Sequence, residues 1–185
     1  MSSAQNKIFS FVIDTLEKLQ ISYMIGGSVA AIAYGEPRLT LDMDVVVELS
    51  IDQAKKLAKS FGSEYYVNLE SMLEAIINKG SFNVIQSEEG VKVDFYVLGN
   101  DAFSQAEFKR KRKESFDESR EAVFVTPEDI ILKKLQWYKI GESGKHLEDI
   151  KGVLKISGSG LDMAYIEKWA KVLEVFDIWR KLKAD

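Results

Sequence analysis

Two aspartates one residue apart, Asp42 and Asp44, follow a Gly26-Gly27-Ser28 turn and an Arg38-x-Thr40 approach within MIGGSVAAIAYGEPRLTLDMD, residues 24–44. Paired carboxylates repel each other, and a divalent cation is the usual relief. Magnesium suits such a pair, since it takes one or two carboxylates and fills its other positions with water and phosphate oxygens. The glycine turn supplies what a phosphate needs beside that ion. Glycines let the backbone approach a ligand, and the unpaired N–H groups of a helix starting near Ser28 face an anion with its positive dipole end. Arg38 offers a planar fork for phosphate, with a surface acid such as Glu36 as the alternative partner. Thr40 is equally a β-branched strand former.

A third carboxylate stands in VKVDFYVL, residues 91–98, where Val91, Val93, Phe95 and Val97 alternate with Lys92, Asp94, Tyr96 and Leu98. Period-two alternation describes a strand with one buried face, and it puts Asp94 on the less apolar one. If that strand is next to the one holding Asp42 and Asp44, the three acids suffice for two magnesium ions, one at an attacking oxygen and one clamping a triphosphate. Each signal is common alone: Gly-Gly-Ser is an ordinary turn and paired aspartates often lie in solvated turns. Their order and spacing together favour an active site.

Gly-Gly-Ser, then Arg38-x-Thr40-x-Asp42-x-Asp44, then a lone strand aspartate at Asp94, resembles the polymerase-β-type nucleotidyltransferase superfamily, and within it the AbiEii-like and related toxin-type bacterial members. Pro127-Glu128-Asp129, with Lys134-Leu135 and Asp149-Ile150 beyond, is similar to those families' second block. The resemblance spans residues 21–154. It implies a metal-dependent enzyme that moves a nucleoside monophosphate from an NTP to a hydroxyl. Gly26, Gly27, Ser28, Arg38, Thr40 and Lys134 would bind the nucleotide. Asp42, Asp44 and Asp94 would hold Mg2+ and carry catalysis, with Asp94 as the preferred base, and Asp149 would position the acceptor or a cation. The toxin-type likeness implies RNA, tRNA or a protein hydroxyl as acceptor and an antitoxin as a possible partner. A small-molecule, antibiotic-type acceptor and a non-catalytic binding module are the alternatives. Lys145-His146 departs from the Lys-Asp expected ahead of the later acid, so His146 is either a base or a helix-surface residue.

The elements that would carry these residues can be read from periodicity. Ile8, Phe11, Val12, Leu16 and Leu19 mark an amphipathic helix ending near Gln20, and residues 21–25 and the DVVVEL run at residues 44–49 read as strands around a small-residue helix at 29–34. A helix at 51–61, a strand at 65–67, a helix at 69–78 and a hairpin of 82–86 with 91–98 follow. A strand at 122–125 precedes a helix started by Thr126 and Pro127. Further helices are expected at 130–140, 146–156 and, as one long segment, 163–182. The fold class is therefore α/β (α+β): a core at residues 1–125 with a mixed sheet flanked by helices, and a helical region at 126–185.

At 185 residues and 46% hydrophobic content the chain can bury a proper core. A net charge of −4 argues against a generally basic nucleic-acid binder, but Lys109 to Lys113 is an unbroken run of five cations. That run is either a solvated helix face or loop or a contact surface for RNA or a triphosphate tail, and following a short helix it could bring one of its cations over the site. The absence of cysteine and of any long apolar run makes a cytoplasmic, non-membrane protein the simpler expectation. Trp169, Phe176 and Trp179 serve either a monomer's interior or a dimer seam.

Overall fold

The computed structural model describes residues 3–117 and 120–184. Residues 1–2, 118–119 and 185 of the expected two-part division lie outside them. The chain runs α1 (Ser3–Lys18), β1 (Ser22–Ile25), α2 (Gly27–Tyr34), β2 (Asp42–Glu48), α3 (Ile51–Ser60), β3 (Tyr65–Val67), α4 (Leu69–Asn78), β4 (Ser81–Gln86) and β5 (Val91–Val97). It continues through α5 (Ala102–Arg110), β6 (Arg112–Ser115), β7 (Glu121–Phe124), α6 (Pro127–Gly141), α7 (Gly144–Ser157), α8 (Met163–Val172) and α9 (Phe176–Ala184). Among the described residues the strands form one mixed sheet in the order β3-β4-β5-β2-β1-β7-β6. The expected mixed sheet flanked by helices is what the structure shows.

Strand alternation decides which face is dry. Met43, Val45 and Val47 of β2 are fully buried, as is Phe95 of β5, which stacks on Phe82 with ring centroids 4.9 Å apart. Phe9, Val12, Ile13 and Leu16 of α1 join the same cluster. Each such side chain is worth roughly 1.5–3 kcal/mol of burial. The opposite edge of the alternation leaves Asp42, Asp44, Asp94 and Tyr96 on one shared face, partly exposed. Thr126 caps α6 with Pro127 at its start, as expected.

Three expectations need correction. Residues 163–182 form two helices, α8 and α9, rather than one. Glu174 adopts φ +56°, and the Glu174 and Val175 N–H groups donate back to Lys171 and Ala170 carbonyls at 3.1 and 2.8 Å. A left-handed non-glycine residue costs about 1–2 kcal/mol, which burial of Val175 and Trp179 offsets. Trp179 therefore belongs to the interior of this chain, while Trp169 packs on Phe103, 5.2 Å between centroids.

The basic run is the second correction, and strand β6, in place of the helix face or loop expected there, is the third. Arg110 lies 3.8 Å from the Tyr165 ring centre and donates to Glu128 at 2.9 Å, Lys111 donates to Ser22 at 2.8 Å, and Arg112 pairs with Glu114 at 2.7 Å. Residues 112–115 then form an edge strand, a place where charged side chains discourage pairing with other chains. None of the five cations lines the cleft described below. Glu128 and Asp129 are similarly absorbed: Asp129 accepts from the Thr126 hydroxyl at 2.6 Å and the Tyr165 hydroxyl at 2.7 Å, tying α6 to α8.

Candidate active site

β2 and β5 run parallel, with Asp42 opposite Lys92 and Asp44 opposite Asp94. Adjacent strands lie about 4.8 Å apart, so the Asp44 and Asp94 side chains stand side by side on the open face. The energetic strain of that arrangement falls on Asp44. Burial raises its carboxyl above the ordinary range, the neighbouring charges of Asp94 and Asp42 raise it further, and the Lys134 ammonium opposes them. Tyr96, two residues along β5, hydrogen-bonds Asp44, and its phenol is pushed up to about 12 by burial and by the Asp44 and Asp94 charges.

The glycine turn is shaped around the same acid. Gly26 N–H donates to the Asp44 carbonyl at 2.9 Å, and the Ser28 N–H donates to its carboxylate. Gly27 has φ +57°, and a Cβ built there would lie 1.7 Å from Asp44 Oδ2. The start of α2 thus gives its Ser28 N–H to Asp44 while Gly26, Gly27 and Ser28 also line the cleft described below. Gly27→Ala faces both a disfavoured backbone and a collision. It is expected to cost about 2–4 kcal/mol in thermal unfolding and to reduce turnover at least about a hundredfold. Gly26→Ala, with nothing within 4 Å of its Cβ, is the control expected to stay close to wild type in melting temperature.

Behind the turn, two cations share one acid. Asp149 of α7 accepts from Arg38 Nε at 2.6 Å and Nη2 at 3.0 Å, and from Lys134 Nζ at 2.6 Å. Arg38 Nη2 also donates to Ser28 Oγ at 2.6 Å. Burial alone would raise the Asp149 carboxyl, but hydrogen bonds from Arg38 and Lys134 outweigh it and hold it below its usual range. The contact requires α7 to lie hard against the end of α2. Gly35 permits that, since a Cβ there would sit 2.9 Å from the backbone of Gly152 and Val153. Arg38 is thus joined to Asp149, while the alternative partner Glu36 pairs with Lys155.

Gly26, Gly27, Ser28, Asp44 and Lys134 line a cleft of about 520 Å³ that continues between α5 and α6 past Tyr96, Glu107, Lys133, Trp137 and His146. Thr40 sits apart, buried, with its hydroxyl on the Asp42 carbonyl at 3.2 Å. Burial and the Lys134 charge hold the His146 imidazole below its ordinary value, and its Nδ1 is buried without a hydrogen-bond partner among the described residues. Burial pushes Glu107 up to about 7 against the pull of Lys133, 3.5 Å away. A raised acid stabilises the fold below its unfolded value near 4.3 and loses that contribution as pH climbs through its folded value. Glu107→Gln is accordingly expected to be on the order of 2–3 kcal/mol more stable than wild type at pH 8 and about equal at pH 4, a difference that melting curves at the two pH values measure.

The donor set fits magnesium chemically: carboxylate oxygens only, crowded like charges at Asp44, and open space beside them for water and phosphate. Among the described residues no group of three His, Cys, Asp or Glu side chains is poised to hold a metal ion by itself. On β5, Lys92 Nζ lies 2.7 Å from Asp94 Oδ2. The sequence reading missed Lys92, Tyr96 and Glu107 as site residues. The first two were signalled by sharing the strand face of Asp94, whereas Glu107 carried no local signal.

No protein-family model and no curated protein sequence matches the chain. Solved structures do. The solution structure of the antibiotic-resistance factor ANT(2'')-Ia is similar with a TM-score of 0.59 at 14% identity, covering 100% of this chain and 95% of that one. The crystal structure of ANT(2'')-Ia in complex with adenylyl-2''-tobramycin gives 0.58 at 13% identity, covering 93% and 98%. An antigenic nucleotidyltransferase-like protein from Paracoccidioides brasiliensis gives 0.57 at 19% identity, covering 100% and 95%. At such identities the likeness shows the fold alone, one shared with these nucleotidyltransferase-like structures, and it does not reach the toxin-type subdivision.

Proposed function

We propose that the protein is a magnesium-dependent nucleotidyltransferase that moves a nucleoside monophosphate from an NTP to a hydroxyl on a small molecule. The observation that carries this reading is the register of β2 against β5, which sets Asp94 beside Asp44, itself a lining residue of the cleft together with the Gly26-Gly27-Ser28 turn and Lys134. Magnesium on Asp42 and Asp44 would neutralise charge on the triphosphate and lower the pKa of the attacking hydroxyl. Lys134, which lines the cleft, and Arg38 behind it are both held by Asp149 and would serve the phosphates as preset cations, fixed charges that need no reorganisation when charge develops. Asp94 takes the proton from the acceptor hydroxyl, whose oxygen bonds to the α-phosphorus as the bond to the β-phosphate bridging oxygen breaks and pyrophosphate leaves. Thr40 acts at a distance, by fixing the backbone at Asp42.

Two features favour a small acceptor. The cleft is walled by Glu107, Lys133 and Trp137, and none of the cations at 109–113 that argued for a macromolecule lines it, Arg110 and Lys111 being engaged within the fold. The similar ANT(2'')-Ia structure, with its adenylylated tobramycin, agrees in kind. The second reading keeps RNA, tRNA or a protein hydroxyl as acceptor, with an antitoxin as partner. It is favoured by Leu39 and Leu41, which follow Arg38 on either side of Thr40 at 87% and 78% exposure. In either case a cytoplasmic setting suits an NTP-dependent reaction, and no described helix is long and apolar enough to cross a membrane. Incubation with each α-labelled NTP, magnesium, and separate RNA, protein and small-molecule fractions tests the choice. Label in the small-molecule fraction alone is expected; label in RNA or protein overturns the small acceptor in favour of the second reading.

A further inference from the structure

Four side chains occupy the corners of a square on the open face of the sheet: Asp42 and Asp44 along β2, Lys92 and Asp94 along β5, paired across the strands as Asp42 with Lys92 and Asp44 with Asp94. Three corners are acids and the fourth is a lysine whose Nζ already lies 2.7 Å from Asp94 Oδ2. An ordinary surface pair of this kind contributes little. This one differs in its place, because the oxygen it occupies belongs to the acid that would share a second metal ion, and because its own cross-strand neighbour is Asp42. A lysine ammonium is a compact point charge, much like a bound cation in the field it exerts on a carboxylate.

We propose that Lys92 is a built-in cation that stands at the second metal position, so that the site loads one divalent ion, on Asp42 and Asp44, rather than two. The inference rests on the nucleotidyltransferase reading above. With Asp94 paired to Lys92, Asp42 and Asp44 are the two carboxylates of the square outside any ion pair among the described residues, the number that magnesium takes when phosphate and water complete its shell. The lysine also fixes the Asp94 carboxylate in one orientation on β5 while repelling a second dication from it. The two-ion count that follows from three free acids is replaced by one ion and one ammonium.

Manganese binding in the presence of an α,β-methylene ATP analogue, counted by electron paramagnetic resonance, tests this without turnover. Wild type is expected to hold one Mn2+ per chain. Lys92→Met is expected to hold two, the second at least about tenfold tighter than any second ion in wild type, and Lys92→Arg, which keeps the charge, one. The Lys92 side chain is 37% exposed, so the variants are expected to fold, which circular dichroism melting checks. Two ions on wild type, or one on both wild type and Lys92→Met, overturns the inference while leaving the nucleotidyltransferase reading intact. No bound manganese on any of the three proteins overturns that reading itself.

Discussion

Asp44→Asn is expected to lower nucleotidyl transfer at least about a thousandfold and, at the same time, to raise the melting temperature at neutral pH. The catalytic loss follows because Asp44 is the acid at the centre of the array, flanked by Asp42 on its own strand, by Asp94 across the ladder and by the start of α2. The stability gain follows from the same neighbours. Burial and the charges of Asp94 and Asp42 raise the Asp44 carboxyl. Its favourable contribution is therefore present below its unfolded value and is lost as pH rises through the folded one, so above that range the acid works against the fold. Asparagine keeps the shape and removes the charge. A gain of about 1 kcal/mol, read as roughly 2–4 °C in a chain of this size, is expected. Magnesium should stabilise wild type by binding only the native state, and should do so less in the variant. A variant that melts lower than wild type and still transfers nucleotide would show that Asp44 is an ordinary structural acid.

Asp149→Ala is expected to be the most destabilising substitution near the site. It leaves the buried Lys134 and the half-buried Arg38 facing each other without their shared acid. Removing one partner of a buried ion pair costs about 3–5 kcal/mol, which corresponds to roughly 10 °C here. The sign of the pH dependence is opposite to that of Asp44. Asp149 is held below its ordinary range, so its contribution is present above the unfolded value near 3.9 and disappears as pH falls through the folded value. The gap between wild type and variant should be widest at neutral pH and should close in strong acid. Transfer should also fall, by about ten- to a hundredfold, since Asp149 acts through Arg38 and Lys134 and not on the reacting atoms. A gap in melting temperature that is unchanged between pH 7 and pH 3 would mean that the helices are joined there by packing alone.

How much of this was legible in the chain depends on the range of each interaction. The three acids were legible because period-two alternation is local: DMDVVV and VKVDFYV each announce which face their aspartates share. The hairpin turn at residues 87–90 and the Thr126 cap are likewise written in neighbouring residues. What joins Arg38 to Asp149 spans 111 positions, and no window of sequence holds both partners. The break between α8 and α9 was hidden for a different reason. Helices usually end on glycine, and here Glu174 takes the left-handed turn because Val175 and Trp179 gain the core. The basic run divides: Lys109, Arg112 and Lys113 are exposed as a row of like charges suggests, whereas Arg110 uses the Tyr165 ring and the acids Glu128 and Asp129, Lys111 lies over the Phe108 ring, and Arg112 begins an edge strand.

The central claim is that Asp42 and Asp44, beside Asp94 and the glycine turn, form a place for a magnesium–triphosphate. Calorimetric titration of each of the four NTPs into the purified chain, with and without magnesium, addresses it most directly. Uptake of at least one NTP that appears with magnesium, disappears with chelator and is lost in an Asp42→Asn, Asp44→Asn double variant is the expected result. Heat indistinguishable from dilution for all four nucleotides in saturating magnesium would contradict the account.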